Sequence, residues 1–421
     1  MTISEKIISA HLTENPGRKV MPGELVVVHV DRVLLQDGTG PLAWSRFDEL
    51  GLHGPAKPES IVSFLDHASP SPRQELANCH KLLRERAREY GITLSDIECG
   101  ICHQRMIETF VHPGELILGS DSHTCTSGAL GAFACGVGST DAAIAVGLGE
   151  QWLRVPASWL IKIEGELNRW VTAKDIMLYL IGMIGADGGT YKALEFAGKT
   201  VEKMLVPERQ VLCNMAVEAG AKTGIVSSDE MTKNYLREQG REQDWKEMSS
   251  DSDARYERTI EISAETLKPM VAQPHTVDNV QPVSEIAKEK VHIDQVFIGS
   301  CTGGRIEDLR IAAQILKGKK RATNTRLIIT PASQATYEKA LKEGILEQFV
   351  SAGGLVTAPG CGPCSGVHLG ILADGEKCLA TQNRNFRGRM GNPNSEVYLS
   401  SAAVAACSAI KGYIADPQEL S

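Results

Sequence analysis

The sequence predicts an α/β protein built on mostly parallel sheets. Short apolar runs alternate with amphipathic helical stretches along the whole chain. The chemically distinctive residues, His67, Asp121 to His123, Cys301 and Cys361, all fall just past expected strands. In open parallel sheets, ligands gather at the carboxyl ends of strands. A length of 421 residues accommodates several domains, each with its own core.

In order, "ELVVVHVD" (24–31) reads as a buried strand. "ESIVSFLDH" (59–67) reads as a second, ending at Asp66 and His67. "ELANCHKLLRERAREYG" (75–91) has helical periodicity, with Leu76, Cys79, Leu82, Leu83 and Ala87 on one face. "GELILGSDSHT" (114–124) is a strand followed by a loop. The small residues of "SGALGAFACGVGSTDAAIAVGLG" (127–149) permit close backbone approach, between helices or toward a ligand. A second region starts near Pro156, with the strand "SWLIKIEGEL" and a helix "AKDIMLYLIGMIG" capped by Thr172. Residues 237–258 are charged and apolar-poor, as in a solvated helix or loop. Residues 264–290 have the composition of a linker. A strand over 291–298 then leads to Cys301 and a helix, "TRLIITPASQATYEKALKEG" repeats the strand-to-helix unit, and "GLVTAPGCGPCSG" places Cys361 and Cys364 past another strand. No repeat beyond this rhythm is visible. The division expected is 1–155, 156–285 and 286–421.

Apolar residues at 42% and charged residues at 23% suit a soluble globular chain. The first twenty residues carry Glu5 and no apolar core of signal-peptide length, and no apolar run could cross a bilayer. A cytoplasmic protein with no membrane partner is expected. A net charge of −8 without a basic block argues against nucleic acid as a partner, while leaving room for a local basic pocket. In a reducing compartment the eleven cysteines should be thiols, metal ligands or catalytic groups.

Cys99-x-x-Cys102-His103 matches the c-type haem attachment pattern, but that chemistry requires export. Cys361-x-x-Cys364 is compatible with zinc, a redox dithiol or an iron–sulfur cluster. Structural zinc wants four ligands, and a thioredoxin-like pair sits near the start of a small domain, so neither fits well. Cys301, in the turn "GSCTGGR", adds a third thiol. Three thiolates are one short of the usual 4Fe–4S set and would leave one iron open. Spacing alone leaves this reading and that of buried turn cysteines both open. Asp66–His67 alone reads as a structural pair, His103 as a packed histidine, "SDSHT" as a polar turn, and Glu218, Arg384 and Arg389 as surface charges.

Taken together, "GSDSHTCTSGALGAFACGVGSTDAA", "GSCTGGRIEDLR", "APGCGPCSG" and "TQNRNFRGR" resemble the aconitase superfamily of iron–sulfur hydro-lyases, in order and over essentially the whole chain. The resemblance implies three α/β domains around a central iron–sulfur cleft. The end of the sequence is similar to the isolated large subunit of the two-subunit branch, which comprises 3-isopropylmalate dehydratase, homoaconitase and 2,3-dimethylmalate dehydratase. In that branch the swivel domain is a separate small subunit that supplies the base and part of the substrate pocket. Carried over by motif, Cys301, Cys361 and Cys364 hold one 4Fe–4S cluster with one open iron. Asp66 and His67 protonate the leaving hydroxyl. His103, Asp121, His123 and Glu218 complete the catalytic set. Gln36 (beside Asp37), Ser122, Asn214, Asn383, Arg384 and Arg389 meet the dicarboxylate or tricarboxylate substrate. The turn after the first cluster ligand reads Thr302-Gly303-Gly304, where the branch usually carries Asn in the middle.

The chemistry requires such residues. Dehydrating a 2-hydroxy diacid expels hydroxide, which needs a Lewis acid, a proton donor, or both. A carboxylate beside His67 favours its charged form. Arginine forks pair with carboxylates and stabilise charge that develops there. The expected activity is dehydration and isomerisation of a 2-alkylmalate. 3-Isopropylmalate, and hence leucine biosynthesis, is the commonest role in the branch, with the homoaconitase and dimethylmalate reactions as alternatives. A cluster-bearing RNA-binding regulator and a zinc-stabilised scaffold are rivals of a different class.

Overall fold

The computed structural model describes residues 1–420. Three parallel sheets organise it. The first has the strand order Thr93–Ser95, Ile61–Phe64, Arg32–Gln36, Leu116–Gly119, Phe133–Gly136, all parallel. The chain enters at the centre, runs outward on one side and then on the other. The loops after Arg32–Gln36 and Leu116–Gly119 therefore diverge at a switch point, where a crevice opens. The second sheet is four-stranded and parallel, in the order Thr223–Val226, Ala193–Ala197, Ser158–Glu164, Arg258–Ser263. The third has a five-stranded parallel part, in the order Leu355–Val356, Arg326–Thr330, Gln295–Gly299, Lys377–Ala380, Glu396–Ser400. It repeats the winding of the first sheet, with its switch point between Gln295–Gly299 and Lys377–Ala380.

Two expectations require correction. The run 24–31 is not a buried strand. Leu25–His29 pairs antiparallel with Glu150–Arg154 in a two-stranded ribbon that buries alternate residues and leaves Leu25 69% and Trp152 58% exposed. The central strand is the next one, Arg32–Gln36, to which the sequence reading assigned no element. The stretch 264–290 is not a linker. Met270–Ala272 and Val280–Pro282 extend the third sheet antiparallel beside Glu396–Ser400.

Other elements follow their chemistry. Thr172 caps helix Ala173–Ile184, its backbone N–H donating to Asp175 Oδ2 at 2.8 Å. Helix Gln74–Tyr90 buries His80, Leu83 and Ala87. The 3₁₀ segment Ser122–Leu130 lies so close to strand Thr223–Val226 that a Cβ on Gly128 would meet the Gly224 carbonyl at 1.9 Å. Only glycine permits that approach, which explains part of the small-residue run.

One apolar core passes through the junction of the three sheets, joining Phe64 and Met106 to Ile161, Met177, Leu212, Phe297 and Ile328. Separate cores back the first and third sheets. Main-chain hydrogen bonds sew the first and third regions together: Ile101 N–H to the Ala332 carbonyl (2.8 Å), Gln334 N–H to Cys99 (3.1 Å) and Cys361 N–H to Asp66 (3.0 Å). No helix among the described residues is long and apolar enough to cross a membrane.

Candidate active site

The carboxyl ends of the first and third sheets face one cavity of about 220 Å³. Gln36, Thr39, His67, His103, Asp121 and His123 line one side; Cys301, Cys361, Cys364, Asn383, Arg384 and Arg389 line the other. Residues brought together only by the motif resemblance thus converge in space. Asp66, Asn214 and Glu218 stand behind this lining and hold it. Ser122 lies elsewhere, in a shallow recess with Gly136, Val217 and Lys222.

The first half is a charge network. Asp37, just past Arg32–Gln36, accepts hydrogen bonds from the N–H of His67 (3.0 Å) and Ala68 (2.9 Å) and from His80 Nε2 (2.8 Å). Burial opposes its charge, but His80, the charge on His67 and the two amides prevail and hold the carboxyl down to about 2. Asp66 Oδ1 sits 2.9 Å from His67 Nδ1, and its Oδ2 accepts from the Cys102 N–H at 2.6 Å. Burial pulls the pKa of His67 down. Asp66 outweighs it through charge and hydrogen bond, Asp121 and Asp37 add to this, and the pKa rises to about 10. The network therefore assigns one proton to Nδ1, facing Asp66, and a second to Nε2, 3.6 Å from Asp121 Oδ2.

Asp121 opens the segment Ser122–Leu130 by accepting from the His123 N–H at 2.8 Å. His103 Nε2 lies 3.0 Å from its Oδ1. Burial opposes ionisation of Asp121, yet the charges of His103 and His123 hold the carboxyl well below the usual range. Gln36 Nε2 donates to Asp121 Oδ2 at 3.3 Å, and Gln36 Oε1 accepts from the Gly38 N–H. His123 Nε2 donates to Glu218 Oε1 at 2.6 Å, and Glu218 also takes Arg384 Nε at 2.8 and 3.0 Å. These partners overcome burial and keep the Glu218 carboxyl low.

The second half is built on sulfur. Ser300, the residue before Cys301, is in the left-handed region at φ +68°, a strained turn that carries the buried thiol past its strand toward the cavity. Asn214 Nδ2 donates to Cys301 Sγ at 3.3 Å and Asn383 Nδ2 at 3.5 Å; Asn383 Nδ2 also bonds Asn214 Oδ1 at 3.0 Å. Arg389 Nη2 donates to Cys364 Sγ at 3.2 Å. Hydrogen bonding from Cys361 and the Arg389 guanidinium favour the Cys364 thiolate, while burial pushes the Cys301 thiol up to about 11.

These residues fit an iron–sulfur cluster held by three cysteines. Three thiols share one cavity, polar donors already point at two of the sulfurs, and Asn383 Oδ1 and Arg389 Nε are buried there without partners. Among the described residues no other cysteine lines the cavity.

Gly303 has a local cause. A Cβ there would lie 2.1 Å from Thr381 Oγ1 and 2.3 Å from its Cβ. Thr381 fills the place of a side chain at 303, accepting from the Gly299 N–H at 2.9 Å through its hydroxyl and from Thr302 Oγ1 at 2.8 Å through its carbonyl.

Sequence reasoning missed His80, Thr39, Ser300, Ser365 and Val367. Ser365 sits inside the quoted "CGPCSG" and was within reach; His80 was hidden by a helix periodicity read for its apolar residues.

Parallel sheets whose crevices pool thiols, imidazoles and arginines define a class, and comparison agrees on which. The chain belongs to the aconitase family (aconitate hydratase), whose profile matches residues 5–412. It is 55% identical to the curated "3-isopropylmalate dehydratase large subunit" of Elusimicrobium minutum over 419 residues, covering 100% of this chain and 99% of that protein. It is 52% identical to the "3-isopropylmalate dehydratase large subunit 1" of Thermotoga maritima, covering 99% of each. It is also 52% identical to "large subunit 2" of the same enzyme in Archaeoglobus fulgidus, again covering 99% of each. Thermococcus kodakaraensis aconitase X, solved in its holo-form, shares the fold at a TM-score of 0.52 and 14% identity, over 85% of this chain and 84% of that one.

Proposed function

We propose that this chain is the large subunit of a two-subunit hydro-lyase that dehydrates and rehydrates 3-isopropylmalate, as its full-length relatives are named. The observation that supports it most is the single cavity shared by Cys301, Cys361, Cys364, Arg384, Arg389 and His67, the last held from behind by Asp66. Cys301, Cys361 and Cys364 would hold a 4Fe–4S cluster. When bound, it supplies Lewis acidity toward the substrate hydroxyl and carboxylate.

The chain's own residues do the rest. Arg384 is tied to Glu218 through Nε, so its remaining donors are free for a substrate carboxylate. Arg389 adds a second guanidinium on the same wall. His67, fixed by Asp66 at Nδ1, holds a proton at Nε2 facing Asp121 and delivers it to the leaving hydroxyl. The C–H proton leaves to a base on the small subunit, which the term "large subunit" in the relatives' names implies. Water forms from hydroxyl and proton, and the alkene diacid remains.

The test is anaerobic co-expression with the small subunit, metal analysis, and hydration of a panel of substituted maleates. About four irons and equal sulfide per chain, with the isopropyl substrate turned over fastest, are expected. A colourless, zinc-loaded protein overturns the cluster assignment, and preference for a carboxyethyl or methyl substrate overturns the substrate.

A further inference from the structure

Lys174 is the only lysine among the described residues that is fully buried, and it forms no ion pair. It sits at the second position of helix Ala173–Ile184. Its ammonium donates to the Thr381 carbonyl at 3.0 Å and to the Gln382 carbonyl. A buried cation with no directly paired carboxylate is costly unless negative charge faces it. Burial lowers its pKa to about 8, and the charges that favour the ammonium are, in order, those of Cys301 and Cys364 and then of Glu218 and Asp308.

The two carbonyls it grips belong to the turn that serves the thiols. Thr381 is bonded to Gly299 and Thr302, which flank Cys301. Gln382 Nε2 donates to the Arg384 carbonyl at 2.8 Å. Between them, Asn383 donates to Cys301 Sγ, and Arg384 pairs with Glu218. One ammonium thus stands behind both the sulfur ligands and the first turn of the arginine wall.

We propose that Lys174 is a positioning residue whose buried positive charge offsets the anionic thiolate-bound cluster and, through the 381 and 382 carbonyls, sets Asn383 and Arg384 in place. The proposal rests on the cluster reading above. Its rival is a neutral strut, in which Lys174 only ties two carbonyls.

The two differ in what happens to the cluster's reduction potential. A nearby cation favours the reduced, more negative cluster, so removing it makes reduction harder. The experiment compares the wild-type complex with Lys174→Gln, Lys174→Met and Lys174→Arg by EPR-monitored redox titration, with iron content and circular dichroism measured alongside. Lys174→Gln retains an amide donor and loses the charge. It should fold, take up iron, and show a potential at least 59 mV more negative, a tenfold change for one electron. Lys174→Met should shift in the same direction, and Lys174→Arg should recover most of the difference. An unchanged potential in Lys174→Gln overturns the proposal in favour of the strut. If the uncharged variants fold but take up no iron, loading of Lys174→Arg supports the charge and its failure overturns it. If the uncharged variants do not fold, the lysine is needed before any cluster is present, and the proposal is overturned. Wild-type protein that takes up no cluster would instead defeat the reading on which this rests.

Discussion

The first and third sheets share one winding order, yet the loops at their carboxyl ends gather different chemistry. Around the first, the ionised groups close on one another. Asp37 has two amides and His80, Asp66 has His67 and the Cys102 amide, and Asp121 has Gln36 and the His123 amide. Around the third, amide and guanidinium donors converge on sulfur, and Asn383 Oδ1 and Arg389 Nε are buried with no partner. Buried polar atoms are costly unless bonded, and each edge keeps some without a partner, His103 Nδ1 on the first and Asn383 Oδ1 and Arg389 Nε on the second; the three thiols are what fit the second for a group other than side chains. The same topology thus supplies a self-contained proton donor on one edge of the cleft and a ligand cradle on the other.

That contrast can be broken at either edge. The largest effect is expected from Cys364→Ser. It should abolish iron binding and turnover together, measured as iron per chain and initial rate, while leaving the first half folded. His67→Ala should do the reverse, keeping wild-type iron and losing about 10²–10⁴-fold in turnover, because a general acid contributes that much. A variant that loses iron in step with activity would show that the two halves are not separable. Asp37→Ala strips a buried partner from His80 and two amides, and should cost about 3–5 kcal/mol in denaturant unfolding. Lowering pH probes the same carboxylate more gently. Its folded pKa of about 2 lies below the ordinary 3.8. Its contribution of about 2 kcal/mol is therefore complete above pH 4 and is lost as pH falls toward 2; Asp37→Asn should flatten that part of the stability–pH curve. Smallest is Gly303→Ala, which forces Thr381 aside and should cost about 1–3 kcal/mol, recovered only in part when Thr381→Gly is added, because that change also removes the hydroxyl that accepts from the Gly299 N–H.

How much of this was legible in the sequence varies residue by residue. Cys301, Cys361 and Cys364 stood out because three thiols in glycine-rich turns past strands have little packing reason to be there. Asp66 and His67 were legible as neighbours, but their partner Asp121 became readable only through motif resemblance, since nothing local relates residues so far apart. Met270–Ala272 and Val280–Pro282 escaped because strands of three residues are too short to show a period. Arg32–Gln36 escaped because the more apolar run before it, Leu25–His29, looked like the better strand. The Thr381–Gly303 contact lies between two loops, and no local pattern records it. Lys174 follows a capping threonine in a first helical turn, where nothing local marks it as buried; only packing reveals it.

The hydrogen bond from the Cys361 amide to the Asp66 carbonyl has a consequence for inheritance. It joins the acid loop to the thiol loop through peptide groups alone, so no change of side chain short of proline at 361 deletes it. The spacing between the proton donor and the sulfur cradle is thereby insulated from mutational drift, and the pocket walls around it can be rewritten for differently shaped substrates without detuning the distance between the two.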